Sequence, residues 1–154
     1  MVDSGCLWGG FMLMGEFNHN IDEKSRLIIP SKLRDVLGVD PVITRGLDGC
    51  LFLYPKSTWD QLVEKLNILP FTKKDARMFL RFLMSSASLV KYDKQGRILI
   101  PAPLVLYSQI QKECTIIGVS DRIEIWSKEN WEKSFSESIM QLEETAENLF
   151  TGDL

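Results

Sequence analysis

The stretch IDEKSRLIIP at 21–30 returns as YDKQGRILIP at 92–101. Repetition at a fixed spacing restricts the available folds more than composition does, because each copy must form the same supersecondary unit and the copies must share a core. Asp22, Arg26, Pro30 and Leu33 recur 71 positions later as Asp93, Arg97, Pro101 and Leu104. Farther along the offset becomes 72: Gly46 matches Gly118, Leu51 Ile123, Leu53 Ile125, Tyr54 Trp126 and Trp59 Trp131. One residue inserted near 111–114 accounts for the slip. The chain therefore reads as a duplicated module of about 45 residues, too short in a single copy to bury much core.

Within the first copy, GEFNHNI, the polar turn DEKS and RLII predict strand, turn and strand, a β-hairpin. The second copy repeats this as ASLVKY, DKQG and RILI, with Gly96 where Ser25 stands. Glycine at the last turn position points to positive φ, and an aspartate at the first can bond turn amides through its short side chain. Arg26 and Arg97 follow their turns directly, so local geometry fixes where they sit. Pro30 and Pro101 end the second strand and favour a helix start, and SKLRDVLG is a short helix closed by Gly38. PVITRGL and CLFLYP around Asp48-Gly49, and TIIGVS and IEIWS around Asp121-Arg122, add a second hairpin to each copy. Helices beginning near Ser57 and Lys128 follow.

Between the copies, Thr72 and Asp75 resemble a capping box, and Ala76, Phe79, Leu80 and Leu83 define one apolar helix face. Lys73, Lys74, Arg77 and Arg81 read first as a solvated helix face, and secondarily as flanking anion contacts. The last helix is expected to carry Trp131, Phe135, Leu142, Ala146 and Leu149 in one broad stripe. The expected organisation is an extension at 1–11, a first module at 12–68, a linker helix at 69–88, and a second module with its C-terminal helix at 89–154. Residues 1–11 precede Met12 and read as translated leader, with a cloning scar as the alternative.

Composition supports a compact protein, with 45% hydrophobic and 25% charged residues in 154. Apolar runs are short and broken by charge, far from the roughly 20 residues of a membrane span. Cys6, Cys50 and Cys114 are odd in number and widely spaced, which favours a reducing cytoplasm and opposes a disulfide framework or a zinc site. His19 is the only histidine, placed in the first strand, and no nucleophile motif or phosphate-cradling glycine loop occurs. No catalytic residue, metal, cofactor or small-molecule substrate is therefore expected. Charge is segregated: residues 15–100 hold 14 Lys+Arg against 10 Asp+Glu, and residues 101–154 hold 4 against 10. Because screening acts over about 8–10 Å, such a chain can still present a basic face to a polyanion.

The paired D-x-x-x-R motifs, together with TRGLDGCLFLYP, LPFTKKDAR, DKQGR and IGVSDRIEIW, resemble the bacterial MraZ family, in order and from about Met12 to the C-terminus. The resemblance implies an α+β fold of two homologous swapped-hairpin β-barrel modules, similar to AbrB-type regulators but carried on one chain. It further implies a ring-type homo-oligomer, nucleoid-associated in the cytoplasm. Such a ring would bind G-rich direct repeats in double-stranded DNA upstream of the division and cell-wall gene cluster and regulate its transcription. DNA contact in the family is assigned to the D-x-x-x-R loops, here Arg26 and Arg97.

The residues support that assignment on physical grounds. An arginine on a hairpin offers a planar donor fork to guanine O6 and N7, while Lys24 and Lys94 in the turns suit phosphates, which position without reading sequence. Asp22 and Asp93, with Gly96, are expected to shape the turns and orient the arginines. Without the resemblance, surface ion pairs worth about 0–1 kcal/mol would be the simpler reading of both arginines. The rival function is a non-catalytic scaffold ring whose basic hairpins dock an acidic protein. The second turn is expected to contact DNA less firmly than the first.

Overall fold

The computed structural model describes residues 12–150, so the reading of residues 1–11 lies outside the described residues. Strands β1 (Leu13–Asn20) and β2 (Arg26–Ile28) lead into helix α1 (Ser31–Leu37), strands β3 (Val42–Arg45) and β4 (Leu51–Tyr54), and helix α2 (Lys56–Ile68). After α3 (Lys74–Met84), the second copy repeats the order as β5 (Ser88–Leu89), β6 (Arg97–Leu99), α4 (Ala102–Ser108), β7 (Glu113–Ser120), β8 (Ile123–Ser127) and α5 (Lys128–Ile139). Helix α6 (Leu142–Phe150) follows.

The repeat becomes symmetry in the pairing. One antiparallel sheet has the order β1-β7-β8-β4-β3-β5, and β2 pairs only with β6 in a separate two-stranded ribbon. Read from either end, the large sheet lists equivalent strands, with a pseudo-two-fold axis where Phe52 lies opposite Glu124. In the ribbon the axis passes through the pair Leu27–Ile98. The fold class is α+β, and among the described residues the strands form an open sheet and a ribbon rather than a closed barrel.

The expected hairpin between β1 and β2 is not formed. Its turn is present, with Asp22 N–H donating to the Arg26 carbonyl at 2.9 Å and Ser25 N–H to the Asp22 carbonyl at 3.0 Å. The strands then part: β1 runs along β7 from Leu13–Ser120 to Asn20–Glu113, and β5 pairs with β3. Each module lends its first strand to the other module's sheet. The second hairpins, β3–β4 and β7–β8, form as read. A Cβ at Gly118 would strike the β1 backbone at Leu13 and Met14, so glycine is what lets β1 lie this close to β7.

Alternation places two different cores on the two faces of the sheet. Leu51, Leu53, Ile116, Ile123 and Ile125 face the ribbon's inner residues Leu27, Ile29, Ile98 and Ile100, closed at the sides by Leu33, Leu37 and Leu104 of α1 and α4. On the other face Phe52, Tyr54 and Trp126 meet Trp59 of α2, with Trp131 of α5 packed alongside. Tyr54 and Trp59 lie 5.8 Å apart and Trp126 and Trp131 5.5 Å apart, so three of the matched aromatic positions are core and the fourth, Trp131, is partly buried against it. Each fully buried Leu or Ile contributes about 1.5–3 kcal/mol.

Pro30 and Pro101 occupy the N-cap positions of α1 and α4, and Gly38, at φ 71°, closes α1. Gln109 ends α4 differently, in the left-handed helical conformation at φ 60° and ψ 22°, where Gly38 has ψ -161°. Two helix readings are corrected. Helix α3 begins after Lys73, with no side-chain cap. Thr72 is taken up by a turn closed by Lys73 N–H on the Pro70 carbonyl at 3.0 Å, so the Thr72–Asp75 capping box does not form. The single C-terminal helix breaks at Met140–Gln141, where Ser136 and Ser138 turn their hydroxyls back onto helix carbonyls, a competition that weakens helices. Beyond the break Leu142 and Leu149 are exposed, so the expected stripe buries only its Trp131 end.

Candidate nucleic-acid interface

The two D-x-x-x-R turns meet at the ribbon. Arg26 opens β2 and Arg97 opens β6, and the register sets Arg26 opposite Leu99 and Ile28 opposite Arg97. With Leu27 and Ile98 fully buried beneath, the outer face of the ribbon carries Arg26, Ile28, Arg97 and Leu99. Both guanidinium groups therefore stand on one solvent-facing surface, which neither copy could build alone.

Each turn holds its own arginine in the same way. Asp22 Oδ1 accepts from the backbone N–H of Lys24 and of Arg26, both at 2.9 Å, and Oδ2 accepts from Arg26 Nε at 2.7 Å. Asp93 repeats this on Gln95, Arg97 and Arg97 Nε at 2.9, 2.9 and 2.7 Å. The turns are joined across the pseudo-axis by Arg97 Nη1 and Asp22 Oδ2 at 3.6 Å. In both carboxyls the bond from the arginine backbone N–H is the largest influence holding the pKa below the usual 3.8, with the arginine side chain adding to it and desolvation opposing. Asp22 grips Arg26 by Nε, and the Arg26 side chain stays 34% exposed.

Gly96 and Ser25 occupy the last turn position at φ 77° and 63°, so the serine adopts the left-handed conformation as the glycine does. Lys24 and Lys94 are both exposed, but they are not equivalent: Lys24 aligns with Gln95, and Lys94 with Glu23. Lys74, Arg77 and Arg81 lie apart from this cluster on α3, which packs on β3 through the bond from Thr44 Oγ1 to the Leu83 carbonyl at 2.6 Å. Arg77 donates to the Phe71 carbonyl at 2.9 Å.

Arg34 was invisible as a site residue in the sequence. It belongs to α1 of the first module, yet its guanidinium lies against Gly96 of the second module's turn, where any Cβ would collide with it. Its Nε and the Tyr92 hydroxyl are buried without hydrogen-bond partners among the described residues. Burial pushes the Tyr92 hydroxyl up to about 12, against the pull of the Arg34 charge. The usable signal was the module mismatch, Arg34 against Val105 and Gly96 against Ser25.

The family model described as "MraZ protein, putative antitoxin-like" matches the chain twice, at 12–82 and 83–153. The chain belongs to the MraZ family. A Transcriptional regulator MraZ from Pediococcus pentosaceus is 53% identical over 138 residues, spanning 90% of this chain and 96% of the relative. One from Limosilactobacillus reuteri is 55% identical over 138 residues, spanning 90% and 97%. The duplicated MraZ match coincides with the two halves whose turns meet at the ribbon.

Among the described residues no group of acidic, histidine and cysteine side chains could hold a metal ion, and no helix is long and apolar enough to cross a membrane. Cys50 and Cys114 are buried free thiols. Desolvation raises both, Cys114 to about 11, so neither is poised as a nucleophile.

Proposed function

We propose that this chain is a non-enzymatic transcriptional regulator that binds duplex DNA through the outer face of the β2–β6 ribbon. The observation that carries the reading is the placement of Arg26 and Arg97 on one exposed face of an antiparallel ribbon, each gripped through Nε by its own aspartate. The major groove admits a two-stranded ribbon, and an arginine fork oriented in advance suits guanine O6 and N7. Lys24 and Lys94, exposed at the turn tips, supply phosphate contacts. Asp22, Asp93 and Gly96 shape the turns. Lys74, Arg77 and Arg81 are left to flanking phosphates.

Each good bidentate contact discriminates by about 1–3 kcal/mol, so one ribbon is a weak reader. A ring of protomers on G-rich direct repeats would supply the missing affinity through effective concentration. The target this implies is the promoter region of the division and cell-wall gene cluster, with the protein nucleoid-associated in the cytoplasm. The modules are read as 12–68 and 89–154, joined by the linker at 69–88. The names carried by the relatives support the regulator role.

The test is titration of the protein onto duplexes bearing G-rich direct repeats and onto shuffled duplexes, over a range of salt. Preference for the repeats, with affinity falling steeply as salt rises, is expected, and Arg26→Ala and Arg97→Ala should abolish the preference while the protein stays folded. Equal affinity for repeat and shuffled duplex would favour a scaffold that docks an acidic protein.

A further inference from the structure

We propose that Arg34 is a third arginine of the DNA interface, contacting the phosphodiester backbone at the second module's turn and giving the pseudo-symmetric ribbon a direction. This rests on the DNA-binding reading above.

The two ends of the ribbon are not alike. At the first turn, Asp22 and Glu23 balance Lys24 and Arg26. At the second, Asp93 is the one acid of the turn itself beside Lys94 and Arg97, with Asp22 reaching across to Arg97 at 3.6 Å, and Arg34 brings a third cation against Gly96. The first turn has no such addition: Val105 stands where symmetry would place an arginine, and a groove of about 500 Å³ opens there between Ser25, Val105, Leu106 and Gln109.

Arg34 also lacks what a structural arginine normally has. It forms no ion pair or side-chain hydrogen bond among the described residues, and its Nε is buried unpaired. An unpaired, partly buried guanidinium is costly for stability alone. Its setting beside a turn whose aspartate already orients Arg97 is that of a cation awaiting an anion. The buried Nε is out of a phosphate's reach, but a phosphate meeting the Nη end of the guanidinium would add charge-assisted bonds. It would also strengthen the half of the ribbon expected from sequence to be the weaker one. A direct repeat has polarity, and an interface with its extra cation at one end can sit on it only one way round at full strength.

Arg34→Met removes the charge while keeping an unbranched apolar cover over Gly96, and Arg34→Gln does so with a polar one. Binding of each to the repeat duplex would be measured as a function of salt beside wild type, Arg34→Lys and Arg26→Ala, with melting curves confirming the fold. The expected result is a log-affinity against log-salt slope shallower by about 0.9 for each protomer engaged in Met and Gln, and wild-type in Lys. A wild-type slope in whichever neutral variant folds, while Arg26→Ala loses repeat preference, would overturn the role of Arg34 and leave the DNA reading standing. Wild-type protein that binds repeat and shuffled duplex alike would instead bring down the DNA reading, and this inference with it.

Discussion

At the scale of single residues, the aspartates set a pH limit. Asp22 and Asp93 are held below the usual 3.8 by backbone and guanidinium donors in the folded state, so the stability they contribute is complete above that value. It is lost as pH falls through the lower folded-state value. The urea midpoint should therefore be level near neutrality and decline below about pH 4, and Asp22→Asn with Asp93→Asn should flatten that decline. The last turn position gives a paired contrast. Ser25→Gly relieves a left-handed serine at φ 63° and should raise the melting temperature, whereas Gly96→Ser adds a Cβ against the Arg34 guanidinium and should lower it. Both arginines and both aspartates were legible in sequence as parts of a turn. Arg34 was not, because its partner lies 62 positions away in the other module and no local pattern announces such a contact.

At the scale of elements, the ribbon is three residues per strand and cannot stand by itself. It persists because Leu27 and Ile98, both fully buried, anchor it to the sheet at the pseudo-axis. Ile98→Ala should cost about 2–5 kcal/mol in chemical denaturation, far more than a surface change. Helix α6 stands at the other extreme. It buries none of its side chains, so truncation after Gln141 should move stability by only about 0.5 kcal/mol in the same assay. Proline stops, the glycine C-cap and the second hairpins could all be read from local chemistry. The capping box and the unbroken last helix failed as predictions because a competing turn at Pro70–Lys73 and the serine back-bonds are equally local, and each outweighed a helical signal.

At the scale of the molecule, the duplication was legible but the exchange of strands was not. A strand's pattern says which face is buried and nothing about whose neighbour it is, so β1 and β2 read as a hairpin although they pair with β7 and β6. A fragment of residues 12–88 keeps β1 and β2 but loses both partners. It should not fold as a monomer, and light scattering with circular dichroism should find a dimer exchanging strands with a second copy, or an unfolded chain. The same exchange governs how the protein emerges from the ribosome. Asn20 of β1 pairs with Glu113, and Leu13 with Ser120. At 5–20 residues per second, a separation of about 100 residues keeps the first strand waiting on the order of 5 to 20 s before its neighbour is synthesised. During that interval the nascent half exposes an unpaired edge, and nascent halves on neighbouring ribosomes of one message could pair with each other before either chain is finished.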